Sequence, residues 1–452
     1  MEHVDVAIVG GGPAGSSAAA AAADHGADAV VLEKGVPRAD RERTGPDSTD
    51  AAGLLDYWLD LMDFAPDEIP DHVVLSELDG AKFHGPNSEL VMTETGIDAS
   101  YEGFGLTFHR ARFDDWLRER ATAAGADYRV GVSVREVETD LGGTPRHTVR
   151  LADGDDLTAD YVVLADGPQR TVTGGTLDQF LPAGQQMSDV LPSTKANHIA
   201  YQEHRRMPEE LFDPDHIEFW WGIMPGHTAY PWIFPNDPPV ARVGLTMPIG
   251  LDIDDYDVAE WDLLDENDGG IPRGNEYVRR LLRRQFPEYD IEDFPLVEDR
   301  GKSGGTETYP ISSTRPIESP VGAGIAVTGG AMGGTSAFHE GGDHVAVRTG
   351  KIAGRLAAQD SLERYNDEWE AALGQEVRRN VTFADLVRGW GPTDWDRAFG
   401  TANALQDVRG IKADAALRGG LHGVELVARY KWGKFGYRGN RYVQLHEDDY
   451  AV

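Results

Sequence analysis

Two periods of apolar spacing alternate along the chain, and the first change comes at once. Val4 to Val9 is a short β-branched apolar run, the pattern of a buried parallel strand. Glycines follow at 10, 12 and 15, then an alanine-rich stretch that predicts a helix to about Asp24. A second apolar run, Asp28 to Leu32, closes on Glu33. The same order of strand, glycine-rich turn and helix returns at 325–354, "IAVTGGAMGGTSAFHEGGDHVAVRTGKIAG". Between these two stretches, residues 72–95 alternate loosely around Asp79-Gly80 and Gly85-Pro86 and predict paired antiparallel strands. An amphipathic helix is expected over 110–124. Three strands are expected over 130–165, joined by "LGGTPR" and "ADGDD", the last ending in Asp166-Gly167. From about 176 to 312 the texture is that of aromatic strands, "HIEFWWGIMP", "TAYPWIFP" and "ARVGLTMPI", with one helix over 275–286. Beyond 360 the pattern is mostly helical, and no internal repeat is visible.

Composition narrows this to a large globular chain of 452 residues, 40% hydrophobic and with 10 Trp, enough for two or three domains. Charge changes the picture more. Against 77 Asp and Glu stand 42 Lys and Arg, a formal net charge of −35, and the acids are spread along the whole chain. Such a surface repels itself in dilute buffer, whereas near 1 M salt the Debye length falls to about 3 Å and screens it. A salt-loving cytoplasm is the expectation. The same charge argues against nucleic acid as a partner, since backbone phosphate is bound by clustered Lys and Arg. The chain has no cysteine, which excludes disulfides, thiolate metal ligands and thiol nucleophiles. No metal site is expected. No apolar run reaches 18 residues, and the opening "MEHVDV" lacks a basic region and an apolar signal core, so a cytoplasmic location is expected.

The first glycine turn has a specific chemistry. Gly10 permits the tight turn, Gly12 lets the backbone approach a pyrophosphate, and Gly15 lets helix and strand pack closely. The helix start offers N–H groups and partial positive charge. Glu33, 18 residues past the last glycine, is placed to accept hydrogen bonds from a ribose 2′-OH and to repel a 2′-phosphate. No second complete fingerprint lies mid-chain. Tyr230, Trp232 and Phe234 stand at i, i+2 and i+4 and share one strand face, either as ordinary core or as the wall of a binding site. The stretch 429–442, "RYKWGKFGYRGNRY", is a basic and aromatic island. It fits anionic lipid headgroups, and it equally fits the chain's own acidic body.

"GGGPAG" with Glu33, "HRARFDDWLRERATAAGA" (109–126), "YVVLADGPQRTV" (161–172) and the late turn occur in an order that resembles the p-hydroxybenzoate hydroxylase-like FAD superfamily. The resemblance implies an α/β fold: a Rossmann-type FAD-binding domain, an inserted mixed α+β substrate domain with an antiparallel sheet, and a helical C-terminal region. Residues 1–71, 106–175 and 313–360 would form the FAD domain, 72–105 and 176–312 the substrate domain, and 361–452 the helical region. It also implies a single FAD site built from both ends of the chain. The residues it assigns to FAD are Gly10, Gly12, Ala14, Gly15, Glu33, Lys34, Arg110, Val134, Asp166, Gly167, Gly330, Gly342 and Asp343.

Within that superfamily, Tyr230, Trp232, Phe234 and Pro235, with Gly244 beyond them, resemble the Y-x-W-x-F-P signature and following glycine of the geranylgeranyl reductase family. Residues 341–354 and 364–379 are similar to other segments of it. The resemblance implies FAD-dependent reduction of isoprenoid C=C bonds in a prenyl or archaeal-type lipid, held against those aromatic residues. The electrons would come from NAD(P)H or a ferredoxin, and His339 or Glu340 would lie near the flavin as proton donor. Peripheral contact with the cytoplasmic membrane face through 429–442 would suit such a substrate. Three departures stand out: Gly329-Gly330 where the family has Gly-Asp, Ala337 where it has proline, and no cysteine in "RTGPDSTDAAG" (43–53). An FAD-dependent monooxygenase or dehydrogenase on the same fold stays open as an alternative, and Gly330 with the missing cysteine leaves open a degenerate flavoprotein that binds lipid without turnover.

Overall fold

A computed structural model describes residues 1–36, 53–142, 146–406 and 420–452. Of the loop 43–53, only Gly53 falls among them. The first sheet holds β1 (Glu2–Val9), β2 (Ala29–Glu33), β8 (Asp127–Val130), β9 (Val134–Asp140), β10 (Arg146–Leu151), β11 (Leu157–Leu164) and β17 (Ile325–Val327). Its order is β8-β2-β1-β11-β10-β9, with β17 parallel to the end of β11. A small second sheet joins β3 (Gly53–Leu55), β7 (Gly105–Phe108) and β4 (Val74–Leu78). The third holds β5 (Gly80–His84), β6 (Glu89–Met92), β12 (His198–Arg206), β13 (His216–Trp220), β14 (Tyr230–Pro235), β15 (Val240–Pro248) and β16 (Thr306–Ile311), in the order β16-β12-β15-β14-β13-β5-β6. The helices are α1 (Pro13–Asp24), α2 (Asp56–Met62), α3 (Arg110–Ala124), α4 (Thr173–Asp178), α5 (Met187–Val190), α6 (Gly274–Gln285), α7 (Asp343–Ala358), α8 (Tyr365–Leu386), α9 (Pro392–Gln406) and α10 (Gly420–Gly436).

The two ends of the chain meet in the first sheet. Within β1, β2 and β11 the stretches 6–9, 29–32 and 162–164 are continuous apolar runs and fully buried, the pattern of strands covered on both faces. Helix α7 lies directly on α1. Added Cβ atoms at Gly350 and Gly354 would come within 2.1 and 2.0 Å of the Ala14 and Ala18 carbonyl oxygens, so only glycine permits this approach.

Two readings of the pattern need revision. Residues 72–95 do form three strands, but only β5 and β6 pair with each other. β4 pairs with β7 in another sheet, and Asp79-Gly80 carries the chain between them. Strand β12 was not anticipated, for a physical reason: four consecutive residues, Gln202, Glu203, His204 and Arg205, are polar yet buried, which erases the alternation of a half-buried strand. Their polar groups are satisfied in part by Glu307 and by the Phe294 carbonyl.

Candidate functional site

At the N-terminal turn, Gly10 has φ +100°, and a Cβ on Gly15 would sit 1.9 Å from the Gly10 carbonyl oxygen. Gly12 is different: a Cβ there would meet nothing within 4 Å. The backbone is therefore crowded behind the turn and open in front of it, where α1 begins with no side chain capping its first N–H groups. Glu33 accepts hydrogen bonds from the Gly11 N–H (2.6 Å) and the Gly35 N–H (2.5 Å), which orients the carboxylate and leaves lone pairs for ribose hydroxyls. Lys34 beside it is exposed. Tyr128, which sequence reasoning missed, donates to the Gly11 carbonyl at 2.6 Å. Its hydroxyl occupies the space a Gly11 side chain would need.

The late turn closes on this site. Gly329, at φ +54°, packs against Ala14 and Ala346, so three small residues let the two turns touch. Arg110 at the start of α3 reaches Asp343 at the start of α7 (3.2 Å) and Asp114 (2.7 Å). Gly342 caps α7. Gly167 turns at φ +77°, while the Asp166 carboxylate is taken up by the Val172 and Thr173 N–H groups (2.6 and 3.1 Å), so it braces this turn. Val134 opens β9, half-buried. The open front of Gly12, the uncapped helix start and this all-glycine-and-alanine seam fit a dinucleotide pyrophosphate and ribityl chain.

At Gly330 the backbone is not in the left-handed region, and an added Cβ would meet the Pro168 ring carbon and backbone nitrogen at 3.3 Å, a tight contact that needs a shift of a few tenths of an ångström. Glycine is thus not demanded by conformation there. Gly330→Asp should supply a side-chain acceptor and tighten FAD by tenfold to a hundredfold, equivalent to ~1.5–3 kcal/mol. Fluorescence titration with FAD checks this; weaker binding by the Asp variant would sink it.

The second half of the site is aromatic. Tyr230, Trp232 and Phe234 are buried on one face of β14, and Pro235 ends the strand. In register, Trp232 faces Gly244 of β15, where a Cβ would lie 2.7 Å from the indole. That is why the aromatic signature comes with a glycine: the ring lies flat across the neighbouring strand. Trp221 extends the surface, stacking on Tyr230 (4.3 Å between centroids), Phe338 (5.2 Å) and Trp395 (4.7 Å). The Tyr230 hydroxyl donates to the His339 carbonyl at 2.5 Å, joining this wall to the late turn.

His339 and Glu340 point opposite ways, because Glu340 is a non-glycine residue at φ +60°. The His339 ring turns to α8 and α2. It meets Asn380 (3.3 Å) and Glu376 (3.9 Å, an ionic rather than a hydrogen-bonding distance) and stacks near Trp58 (5.0 Å). His344 is buried against the other part of Trp58 (4.1 Å), and burial pushes its pKa down to about 3. Glu340 instead enters the third sheet. Its carboxyl group is bonded by Thr246 and lies 3.3 Å from His198 Nε2. Burial raises its pKa, against the opposing pull of His198, Thr246 and Thr228. Neither His198 nor Glu376 carried a sequence signal, since each becomes special only through its spatial neighbours.

Residues 3–188 match the FAD binding domain family FAD_binding_3. The chain is 26% identical to digeranylgeranylglycerophospholipid reductase 2 of Methanopyrus kandleri, over 83% of this chain and 84% of that one. It is 27% identical to digeranylgeranylglycerophospholipid reductase of Methanothrix thermoacetophila, over 84% and 87%. The crystal structure of a geranylgeranyl bacteriochlorophyll reductase-like protein from Thermoplasma acidophilum superposes with a TM-score of 0.70 at 21% identity, covering 96% of this chain and 100% of that one. The fold is the Rossmann-type, p-hydroxybenzoate hydroxylase-like FAD fold, and its cofactor is FAD.

Proposed function

We infer that this chain is an FAD-dependent reductase that saturates C=C bonds in an isoprenoid lipid. The observation that carries the reading is the aromatic face of β14, laid flat over Gly244 and tied to the late turn of the FAD site by the Tyr230–His339 hydrogen bond. The named relatives supply the substrate class.

The bound flavin supplies the hydride chemistry. The chain's own residues hold the nucleotide through Gly10, Gly12, Gly15 and Glu33, and the seam of Gly329 and Ala346 keeps the late turn against it. Trp232 and Phe234 lie in an apolar aromatic cluster, and a prenyl chain entering beside them would be held in a water-poor environment. The reductant docks transiently and is NAD(P)H or a ferredoxin. Anaerobically reduced enzyme should be reoxidised by a prenyl lipid whose product gains two hydrogens per bond by mass spectrometry; no anaerobic reoxidation, with oxygen added to the product once O2 is admitted, would replace this reading with a monooxygenase.

Substrate access is through a membrane surface. Helix α10 packs one side on α8, with Tyr430 stacked on Phe383 (4.7 Å) and Gly433 against Thr382. It leaves Trp432 and Phe435 80% and 57% exposed, with Arg429 and Lys431 exposed on the same helix and Arg438, just past its end, over the Phe435 ring. Two aromatics amid cations suit the boundary of an anionic bilayer. Replacing both with serine should weaken sedimentation with anionic phospholipid vesicles in high salt by at least about tenfold, since each buries on the order of 150–250 Å². Unchanged binding would remove the helix from the membrane contact. Among the described residues, no helix is long and apolar enough to cross a membrane.

A further inference from the structure

We propose that Glu340 is the acid that protonates the second carbon of the double bond, and that His198 positions and reloads it. This rests on the reductase reading. Saturating a C=C bond needs a hydride at one carbon and a proton at the other. Beside the aromatic wall, the Glu340 carboxyl group is placed to meet the second need. Thr246, which holds the Glu340 carboxyl group, is the register partner of Tyr230, one pair along the face from Trp232 and Gly244. His339, its chain neighbour, offers the wall only a backbone carbonyl, which already accepts the Tyr230 hydroxyl.

Glu340 is enclosed on every side. Its side chain is 3% exposed and that of His198 5%. Thr246 on β15 and Thr228 before β14 approach its two oxygens, the second at 3.5 Å. His198 at the start of β12 lies 3.3 Å from Oε1. Beyond it, His227 is held neutral, its pKa lowered to about 4 by burial and by Arg388 and His198, with Asp385 opposing, so it places no cation there at neutral pH. Burial of the carboxyl group favours its protonated form and outweighs His198 and the two threonine hydroxyls, which favour the carboxylate. The left-handed backbone at Glu340, which a non-glycine residue occupies at a cost, is what aims this side chain away from α8 and at the wall.

The route back to solvent is also present. Nδ1 of His198 lies 2.9 Å from Asn197 Nδ2 and 2.9 Å from Ser313 Oγ. Asn197 is half-buried, so this end of the ring is one residue from water. An amide N–H donating to Nδ1 leaves the ring proton on Nε2, facing Glu340 and the His227 carbonyl. The balance is then complete. One carbon takes a hydride from reduced flavin, and the other takes the Glu340 proton as its O–H bond breaks. The lipid gains two hydrogens and the flavin is left oxidised. His198 Nε2 passes its proton to the carboxylate while Nδ1 collects another through Ser313.

The test compares wild type, Glu340→Gln and His198→Asn, each reduced anaerobically and mixed either with a prenyl lipid or with ferricyanide, which takes electrons and needs no proton delivered to carbon. Glu340→Gln should hold FAD and reduce ferricyanide at the wild-type rate, yet reduce lipid ~10²–10⁴-fold more slowly. His198→Asn should slow the first lipid turnover a few fold, because the acid is less well positioned, and the later ones at least tenfold further. In flavin-free protein, the raised carboxyl pKa should cost wild type stability relative to Glu340→Gln as pH rises above the ordinary carboxylate range, because the folded state then has to give up a proton it favours. A Gln variant that reduces lipid at the wild-type rate, or loses lipid and ferricyanide rates equally, overturns the assignment. Wild type that no prenyl lipid reoxidises overturns the reductase reading beneath it, and the pH–stability difference still reports whether Glu340 is a buried acid.

Discussion

Gly350→Ala is expected to abolish FAD binding and lower the stability of the whole chain by more than about 3 kcal/mol. The added methyl would stand 2.1 Å from the Ala14 carbonyl oxygen and 2.9 Å from its carbon, both backbone atoms of α1. No rotamer relieves such a contact, so α7 has to move away from α1. That movement separates the two glycine-rich turns, because α1 follows the first and α7 follows the second. Overpacking ordinarily costs ~1–3 kcal/mol, and a clash with backbone lies at or beyond the upper end. The gain in helix propensity on replacing glycine, about 1 kcal/mol, works the other way and is too small. Gly400→Ala is the matched control: it lies in α9 with nothing within 4 Å of the added atom, and it should stabilise by up to about 1 kcal/mol. Thermal melts and bound-flavin absorbance of the two variants decide the matter. A Gly350 variant that melts like the control and keeps its flavin would show that the helices tolerate separation.

Glu376→Gln is expected to remove about 2–3 kcal/mol of stability at neutral pH and almost none near pH 2. Burial favours the neutral acid at this position, but His339, His344 and Arg379 outweigh it and hold the pKa down at about 2. Because burial keeps His344 itself neutral, the lasting positive charge is that of Arg379, which is ion-paired to the carboxylate and also bonded to Tyr57. The sign follows from the direction of the shift. The folded pKa lies below the unfolded one, so the contribution is present above about 4.5 and disappears as pH falls toward 2. Since 77 acids titrate in that range, the measurement is the difference between wild type and variant across pH, not the wild-type curve alone. A difference that stays constant with pH would mean that the carboxylate contributes through packing, and not through charge.

The sequence was most legible where one short segment carries a whole physical task. Gly10, Gly12, Gly15 and Glu33 act through backbone conformation and one local turn, and the structure places them at a single open-fronted helix start. The helix at 110–124 and the strands from 134 to 164 followed their hydrophobic periods with little interference. The aromatic triplet of β14 was visible as a face, although what that face meets was not. Strand β12 was invisible because its buried side chains are polar and find partners on β16 and in the loop before it.

By itself, then, the sequence determined the nucleotide turn, the period of most elements and the pairing of an aromatic strand with a glycine, since each depends on residues close together in the chain. That the late turn belongs to the first nucleotide site was implied by the family resemblance and by no local pattern; tertiary structure gives the physical reason, glycines of α7 resting on carbonyls more than 300 positions away. It alone separated His339 from Glu340, two neighbours with the same apparent chemistry. Their roles diverge because one left-handed residue turns one toward Glu376 and the other toward His198. Burial and charge at those sites come from residues of other sheets and helices, and no local pattern encodes them.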